Sequence, residues 1–73
     1  MININWDEFK EYKKYSPRED NFEIALDFLK SYYNMSNPFD MYDALREDAI
    51  GEMMLSKRGI SDAEGLENYL YKL

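Results

Sequence analysis

Apolar residues recur every three or four positions through most of the 73-residue chain, a spacing that predicts helices rather than strands. The pattern is widest over the helix predicted from about residue 17 to residue 33. The apolar arc of that helix comprises Phe22, Ile24, Ala25, Leu26, Phe28, Leu29, Tyr32 and Tyr33. An arc this broad is typical of a central helix with contacts on two sides, or of a dimer seam.

Capping signals predict where the first two helices begin. Asn5 with Glu8, and Ser16 with Glu19, have the spacing of a capping box, in which each side chain binds a free backbone amide of the other residue. Pro17 would occupy the first helical position, where its missing N–H costs nothing. The segment before Asn5 alternates apolar and polar residues, and we expect it to be extended, since a single strand has no evident partner.

The same signals predict a third helix from Pro38 to about Ser56, capped by Asn37 or Ser36. Gly59 is expected to end it in the left-handed conformation, and Gly51 would accommodate a break in its middle. The predicted core residues of this helix are Phe39, Tyr42, Leu45, Ala49, Ile50 and Met53.

A last helix is predicted after Ser61, which would act as the cap, with Glu64 three residues later. Its expected core residues are Ala63, Leu66, Leu70 and Leu73. The predicted fold is therefore all-α: one domain spanning residues 1–73, built as a compact bundle of three to four short helices with an extended N-terminal segment.

The composition excludes most small catalytic sites. The chain contains no Cys and no His, so disulfides, zinc knuckles, haem ligation and imidazole-dependent triads are ruled out. We find no phosphate-binding loop or calcium-binding loop, and we predict no catalytic residue, cofactor or metal site, hence a protein that is not an enzyme. The N-terminal stretch has no apolar run long enough for a signal peptide or a membrane span, which favours a cytoplasmic protein.

The charge distribution is uneven. Nine Lys and Arg stand against 15 Asp and Glu, for a net charge of −6, which disfavours direct binding to nucleic acid or to an anionic membrane. Between residues 19 and 52 there are nine acids and only two bases, Lys30 and Arg46. The acidity is concentrated in the middle of the chain, and it favours a basic partner.

At helical spacing these acids form two rows. The first row is Asp20, Glu23 and Asp27, flanked by Glu19, and the second is Asp40, Asp43 and Glu47, flanked by Asp48 and Glu52. Neighbouring acids in a row would lie about 5–6 Å apart. A single row is most simply a solvated helix face. Two rows side by side could approximate the charge density of DNA, which carries one charge per ~1.7 Å of axis.

In its length, its charge, its lack of Cys and these two rows, the chain resembles the small acidic proteins that phages make to mimic DNA. Members of that class block host factors such as sliding clamps, restriction enzymes, CRISPR nucleases and repair enzymes. The resemblance implies a binding inhibitor in the host cytoplasm whose carboxylates occupy a basic DNA-binding channel of a bacterial protein, and it implies no particular topology. We expect a homodimer, because a domain this small buries only ~60% of its unfolded surface by itself.

Met54 and Leu55 support a rival hypothesis. On a continuous third helix these two side chains fall among the acids, so they are either core at the helix end or an adaptable apolar patch for a partner. The tyrosines, above all Tyr32 and Tyr33, are either the edge of the core or part of an interface. The rival function is a helical protein–protein interaction module that binds through such a Met/Tyr patch, with the acids serving solubility alone.

Overall fold

A computed structural model describes residues 3–73, and in this range it contains α-helices and no strand. The five helices are α1 (Trp6–Lys14), α2 (Asn21–Tyr32), α3 (Pro38–Arg46), α4 (Ala49–Lys57) and α5 (Ala63–Tyr71). The all-α class is confirmed. The prediction of three to four helices is wrong, because the stretch from Pro38 to about Ser56, which was expected to form a single helix, forms two helices.

The chain divides into two compact units. One comprises residues 5–35 with α1 and α2, and the other comprises residues 36–73 with α3 to α5, together with residues 3–4. Of the N-terminal segment predicted to be extended, the described residues before α1 are neither helix nor strand, and residues 1 and 2 lie outside the described range.

In the unit of residues 5–35, Asn5 caps α1 as predicted. Its Oδ1 accepts hydrogen bonds from the amides of Asp7 and Glu8, both at 3.2 Å. The predicted return bond from Glu8 does not form, because the Asn5 amide donates instead to Tyr33 Oη at 2.8 Å. A tertiary hydrogen bond thus replaces the second half of the capping box and ties the start of α1 to the end of α2.

Helix α2 begins four residues later than predicted. Asp20 caps it, accepting from the amides of Phe22 and Glu23 at 2.9 and 3.3 Å. The predicted start at Ser16 is wrong because Ser16 Oγ accepts from the Arg18 amide at 3.2 Å in a turn outside the helix. Two overlapping cap signals, Ser16 with Glu19 and Asp20 with Glu23, compete here, and the second sets the boundary.

Most of the broad apolar arc of α2 is confirmed as core. Six of its eight residues are buried, namely Phe22, Ile24, Ala25, Leu26, Phe28 and Leu29. Of the other two, Tyr33 is half-buried and Tyr32 is 51% exposed. The helix ends at Tyr32, and two residues later Asn34 has a φ of 59°. The Met35 amide turns back to donate to the Leu29 carbonyl at 3.2 Å.

In the unit of residues 36–73, α3 begins as predicted, with Asn37 Oδ1 accepting from the Phe39 amide at 2.8 Å. The helix then stops at Arg46. Asp48 caps a new helix, accepting from the amides of Ile50 and Gly51 at 2.9 and 3.1 Å. The break therefore lies at residues 47–48, and Gly51, where a break was expected, lies within α4.

Gly51 allows the two helices to meet closely. A Cβ at this position would lie 2.7 Å from Leu45 Cα and 2.9 Å from its carbonyl carbon, and closer still to its carbonyl oxygen. All three are backbone atoms, which no side-chain rotation can move. The first turn of α4 packs against the last turn of α3 because Gly51 has no side chain.

The break changes which residues form the core of this unit. The buried residues of α3 and α4 are Met41, Ala44, Leu45, Gly51 and Leu55. Of the predicted core residues, Leu45 is confirmed and Tyr42 is half-buried, but the others are exposed, namely Phe39, Ala49, Ile50 and Met53. For the three residues of α4 the prediction was wrong because it assumed one continuous helix, whereas the sharp turn at 47–48 presents a different face of α4 to the core. Phe39 lies before this turn, in the first turn of α3, and is 52% exposed there.

Helix α5 and the end of α4 complete the unit. Asp62, rather than the predicted Ser61, caps α5 by accepting from the Gly65 amide at 2.7 Å. The Ser61 carbonyl accepts from Tyr42 Oη at 2.8 Å, which holds the loop before α5 against α3. Gly59 has a φ of 69°, so its predicted left-handed conformation is confirmed.

Helix α5 contributes fewer residues to the core than predicted. Leu66 is buried, and both Ala63 and Leu70 are half-buried. Leu73, which was expected in the core, is exposed because the helix ends at Tyr71.

Candidate functional site

The first acidic row, in the unit of residues 5–35, is largely engaged within the protein. Asp20 is the cap of α2, and Arg18 binds the other two acids, through Nη1 to Glu23 Oε1 at 3.1 Å and through Nε to Asp27 Oδ2 at 2.6 Å. The charge of Asp27 is the main cause that raises the pKa of Arg18 above its usual value. Glu19 is exposed just before the cap. Two of the three row carboxylates thus share one guanidinium.

Replacing Arg18 with glutamine is the direct test of whether this pairing masks the first row. The ion pairs are partly exposed and screened by solvent, so we expect the variant to unfold at nearly the same temperature as the wild type. If the first row contributes to partner binding, the R18Q variant will bind a cationic partner several-fold more tightly than the wild type, because two carboxylates are released. The measurement is affinity by titration calorimetry, with Lys57→Gln as a control that removes one positive charge elsewhere.

The second row, in the unit of residues 36–73, is arranged differently. Asp40, Asp43 and Glu47 are all exposed, and at spacings of three and four residues they share one face of α3. Glu47 stays in line with the row because its φ and ψ of −80° and −6° continue the helical path. None of the three carboxylates has a hydrogen bond or an ion pair to the described part of the chain.

Local helix stability explains the two flanking acids and one member of the row, but not the other two members. Asp48 caps α4, and Asp40 and Glu52 lie in the first turns of α3 and α4, where negative charge is favourable. Asp43 and Glu47 lie in the second half of α3 and at its C-cap, where that benefit from the α3 dipole is lost. These two exposed acids therefore have no evident structural role in their own helix.

The apolar patch expected at Met54 and Leu55 has a different composition in the structure. Leu55 is 3% exposed and belongs to the core, and Met54 is half-buried. The exposed apolar side chains of α4 are instead Ile50 and Met53, at 41% and 51%. Sequence reasoning missed these two because the pattern of a single continuous helix assigned both to the core.

Tyr32 and Tyr33, proposed as interface residues, make ring contacts within their unit, although Tyr32 remains 51% exposed. Tyr32 stacks on Phe28 with ring centroids 4.9 Å apart, and Tyr33 meets the same ring edge-on at 5.7 Å. In the other unit, Arg58 donates to Tyr69 Oη at 3.1 Å. Tyr71 is exposed at the end of α5.

The unit of residues 36–73 also has a surface depression of about 330 Å³. It lies where α3, α4 and the loop before α5 meet, and it has a buried apolar floor of Leu55 and Ile60. Arg46 and Glu52 bring one positive and one negative charge to its lining. Neither in this depression nor in the rest of residues 3–73 do three acidic side chains lie close enough together to hold a metal ion.

Comparisons with known proteins give no matching family model, no matching curated protein and no matching solved structure. None of the described helices is long and apolar enough to cross a membrane. Within residues 3–73, the fold and the charge together define a small acidic all-α protein whose carboxylate row on α3 is exposed and unpaired.

Proposed function

We propose that this protein is a binding inhibitor that places the α3 carboxylates in the basic DNA-binding channel of a bacterial protein. The observation that carries the proposal is the row Asp40, Asp43 and Glu47, which is exposed and without a cationic partner in the described part of the chain. The first row contributes less, because Arg18 already binds two of its acids.

The spacing of the row supports a comparison with one DNA strand. A helix rises 1.5 Å per residue, so Asp40 and Glu47 lie roughly 10 Å apart along the axis, or about 5 Å per carboxylate. A strand of DNA carries one phosphate per ~3.4 Å. The α3 row therefore has roughly two thirds of the charge density of one strand. A groove of Lys and Arg side chains that holds a phosphate backbone would attract it.

Inhibition would follow from competition for the same cations. The net charge of −6 would speed the encounter with a positively charged channel, and the bound carboxylates would exclude phosphates from the Lys and Arg that they occupy. Because the interaction is largely electrostatic at exposed groups, added salt would weaken it steeply. No bond is made or broken, and the proposal assigns the protein no catalytic activity.

Capture from a lysate tests the proposal. We would immobilise the purified protein, apply bacterial lysate, elute with rising NaCl and identify the eluted proteins by mass spectrometry. The expected result is a DNA-binding protein that elutes within a few tenths molar NaCl and that free DNA also displaces. A partner that stays bound through high salt, or that does not bind nucleic acid, would contradict the proposal and favour the apolar interaction module.

A further inference from the structure

The depression in the unit of residues 36–73 has a floor that the end of α4 builds. The Ile60 amide donates to the Leu55 carbonyl and the Gly59 amide to the Ser56 carbonyl, both at 3.0 Å. With Gly59 in the left-handed conformation, these two bonds form a Schellman motif, whose first and last residues commonly make an apolar contact. In this motif they are Leu55 and Ile60, the two buried side chains of the floor.

The rim of the depression is also held by a hydrogen bond within the chain. Tyr42 Oη donates to the Ser61 carbonyl at 2.8 Å and so ties α3 to the loop before α5. Because the rim is already ordered, a ligand would not have to order it on binding. The volume of about 330 Å³ lies at the lower end of the roughly 300–1,000 Å³ of ligand pockets, which suits a small metabolite.

Two charged side chains of opposite sign line the depression, and neither is paired. Arg46 and Glu52 are exposed, and neither has an ion pair or a side-chain hydrogen bond to residues 3–73. They do not pair with each other either. Glu52 lies three residues before Leu55 on one face of α4, so its carboxylate lies beside the apolar floor.

The face of α3 that lines the depression is not the face of the acidic row. At 100° per residue, Tyr42 and Arg46 lie roughly 110° around the helix from the row of Asp40, Asp43 and Glu47. The depression is therefore a second candidate site, and the inference from it is independent of the proposed function.

We propose that this depression binds a free α-amino acid with an aliphatic side chain. At neutral pH such a molecule carries a carboxylate and an ammonium group beside its hydrocarbon chain. Arg46 can bind the carboxylate with two parallel hydrogen bonds, and Glu52 accepts from the ammonium group. The aliphatic chain covers Leu55 and Ile60. A ligand with a single charge would satisfy only one of the two charged side chains.

The test is a nuclear magnetic resonance titration of the isotope-labelled protein with L-leucine. We expect saturable shifts of the amide signals of Gly59, Ile60 and Ser61, with a dissociation constant on the order of 1 mM, because ion pairs at exposed groups are weak. Three matched compounds each lack one feature: leucinamide lacks the carboxylate, isocaproate lacks the ammonium group and glycine lacks the side chain. Each should bind about tenfold more weakly than leucine, or worse.

Variants of the two charged residues assign the contacts. R46Q should weaken leucine binding about tenfold and remove the preference for leucine over leucinamide. E52Q should remove the preference for leucine over isocaproate. The controls K57Q and E64Q alter the net charge by the same amounts at exposed positions outside the depression, and they should leave leucine binding unchanged. The amide spectrum of each variant reports whether it is folded.

The absence of saturable shifts up to roughly 50 mM leucine, well above the expected dissociation constant, would overturn the inference. Equal binding of leucinamide or isocaproate would overturn it by showing that only one charge is recognised. Equal binding of glycine would show that the apolar floor is not used, and unchanged binding in R46Q and E52Q would place the ligand elsewhere. None of these measurements includes a partner protein, so a failure here leaves the proposed function untouched.

Discussion

Replacing Gly51 with alanine is expected to lower the free energy of unfolding by roughly 2 kcal/mol or more, the scale of overpacking in a core. The added Cβ would lie within 2.9 Å of the backbone of Leu45, and only a movement of α4 away from α3 relieves that overlap. Alanine would favour an isolated helix by about 1 kcal/mol over glycine, so the expected loss runs against helix propensity. For a chain of this size it would lower Tm by roughly 10 °C, measured by thermal unfolding.

Gly65 provides the matched control, since it also lies within a helix of the same unit. A Cβ there would lie 3.1 Å from Asp62 Oδ1, the side-chain atom that accepts from the Gly65 amide to cap α5, and no backbone atom is as close. A weakened cap would cost about 1 kcal/mol and the helix propensity of alanine would offset about as much, so we expect G65A to be nearly as stable as the wild type and clearly more stable than G51A. If G51A were as stable as the wild type, the result would contradict the close contact between α3 and α4. It would also contradict the break at residues 47–48 that produces this contact.

Reversing the charge of Asp43 and Glu47 together is expected to weaken partner binding by about 100-fold or more. Placing like charges opposite each other in an interface costs several kcal/mol, and each 1.4 kcal/mol corresponds to a factor of ten in affinity. Both side chains are exposed and unpaired in the described range, so the D43K/E47K variant should fold normally. The measurement is the dissociation constant for the captured partner at fixed salt.

The control for this variant separates the location of the charges from their sum. Glu8 and Glu64 are also exposed, and E8K/E64K changes the net charge from −6 to −2, as D43K/E47K does, because each reversal adds two positive charges. We expect the control to slow association modestly and to leave most of the affinity. Equal losses in the two variants would mean that overall charge, and not the α3 row, governs binding.

Local signals were sufficient to predict much of the fold. Asn5 and Asn37 cap helices as expected because a cap depends on bonds between residues two or three positions apart. The core of α2 follows from its apolar spacing alone. In contrast, the break after Arg46 depends on whether Asp48 acts as a cap or as one more acid on a helix face, and the close approach of Gly51 to Leu45 decides this.

The candidate site was predictable only in part, for the same reason. The row on α3 depends on spacing within one helix, and the structure keeps its residues on one face. Whether the acids of the first row are paired depends on Arg18. This residue lies nine positions before Asp27 and reaches it from a loop that was expected to be helical. The exposure of Ile50 and Met53 is likewise a result of the turn before α4, which the periodicity of the sequence does not reveal.

The most direct test of the central claim is whether the protein displaces DNA from its partner. A fluorescently labelled DNA duplex would be bound to the captured partner at low salt, and its anisotropy followed as the wild-type protein is added. The account predicts displacement to free DNA, and no displacement by D43K/E47K at the same concentrations. If the protein bound its partner while the DNA remained bound, the α3 carboxylates would not occupy the phosphate-binding channel, and the proposed function would be contradicted.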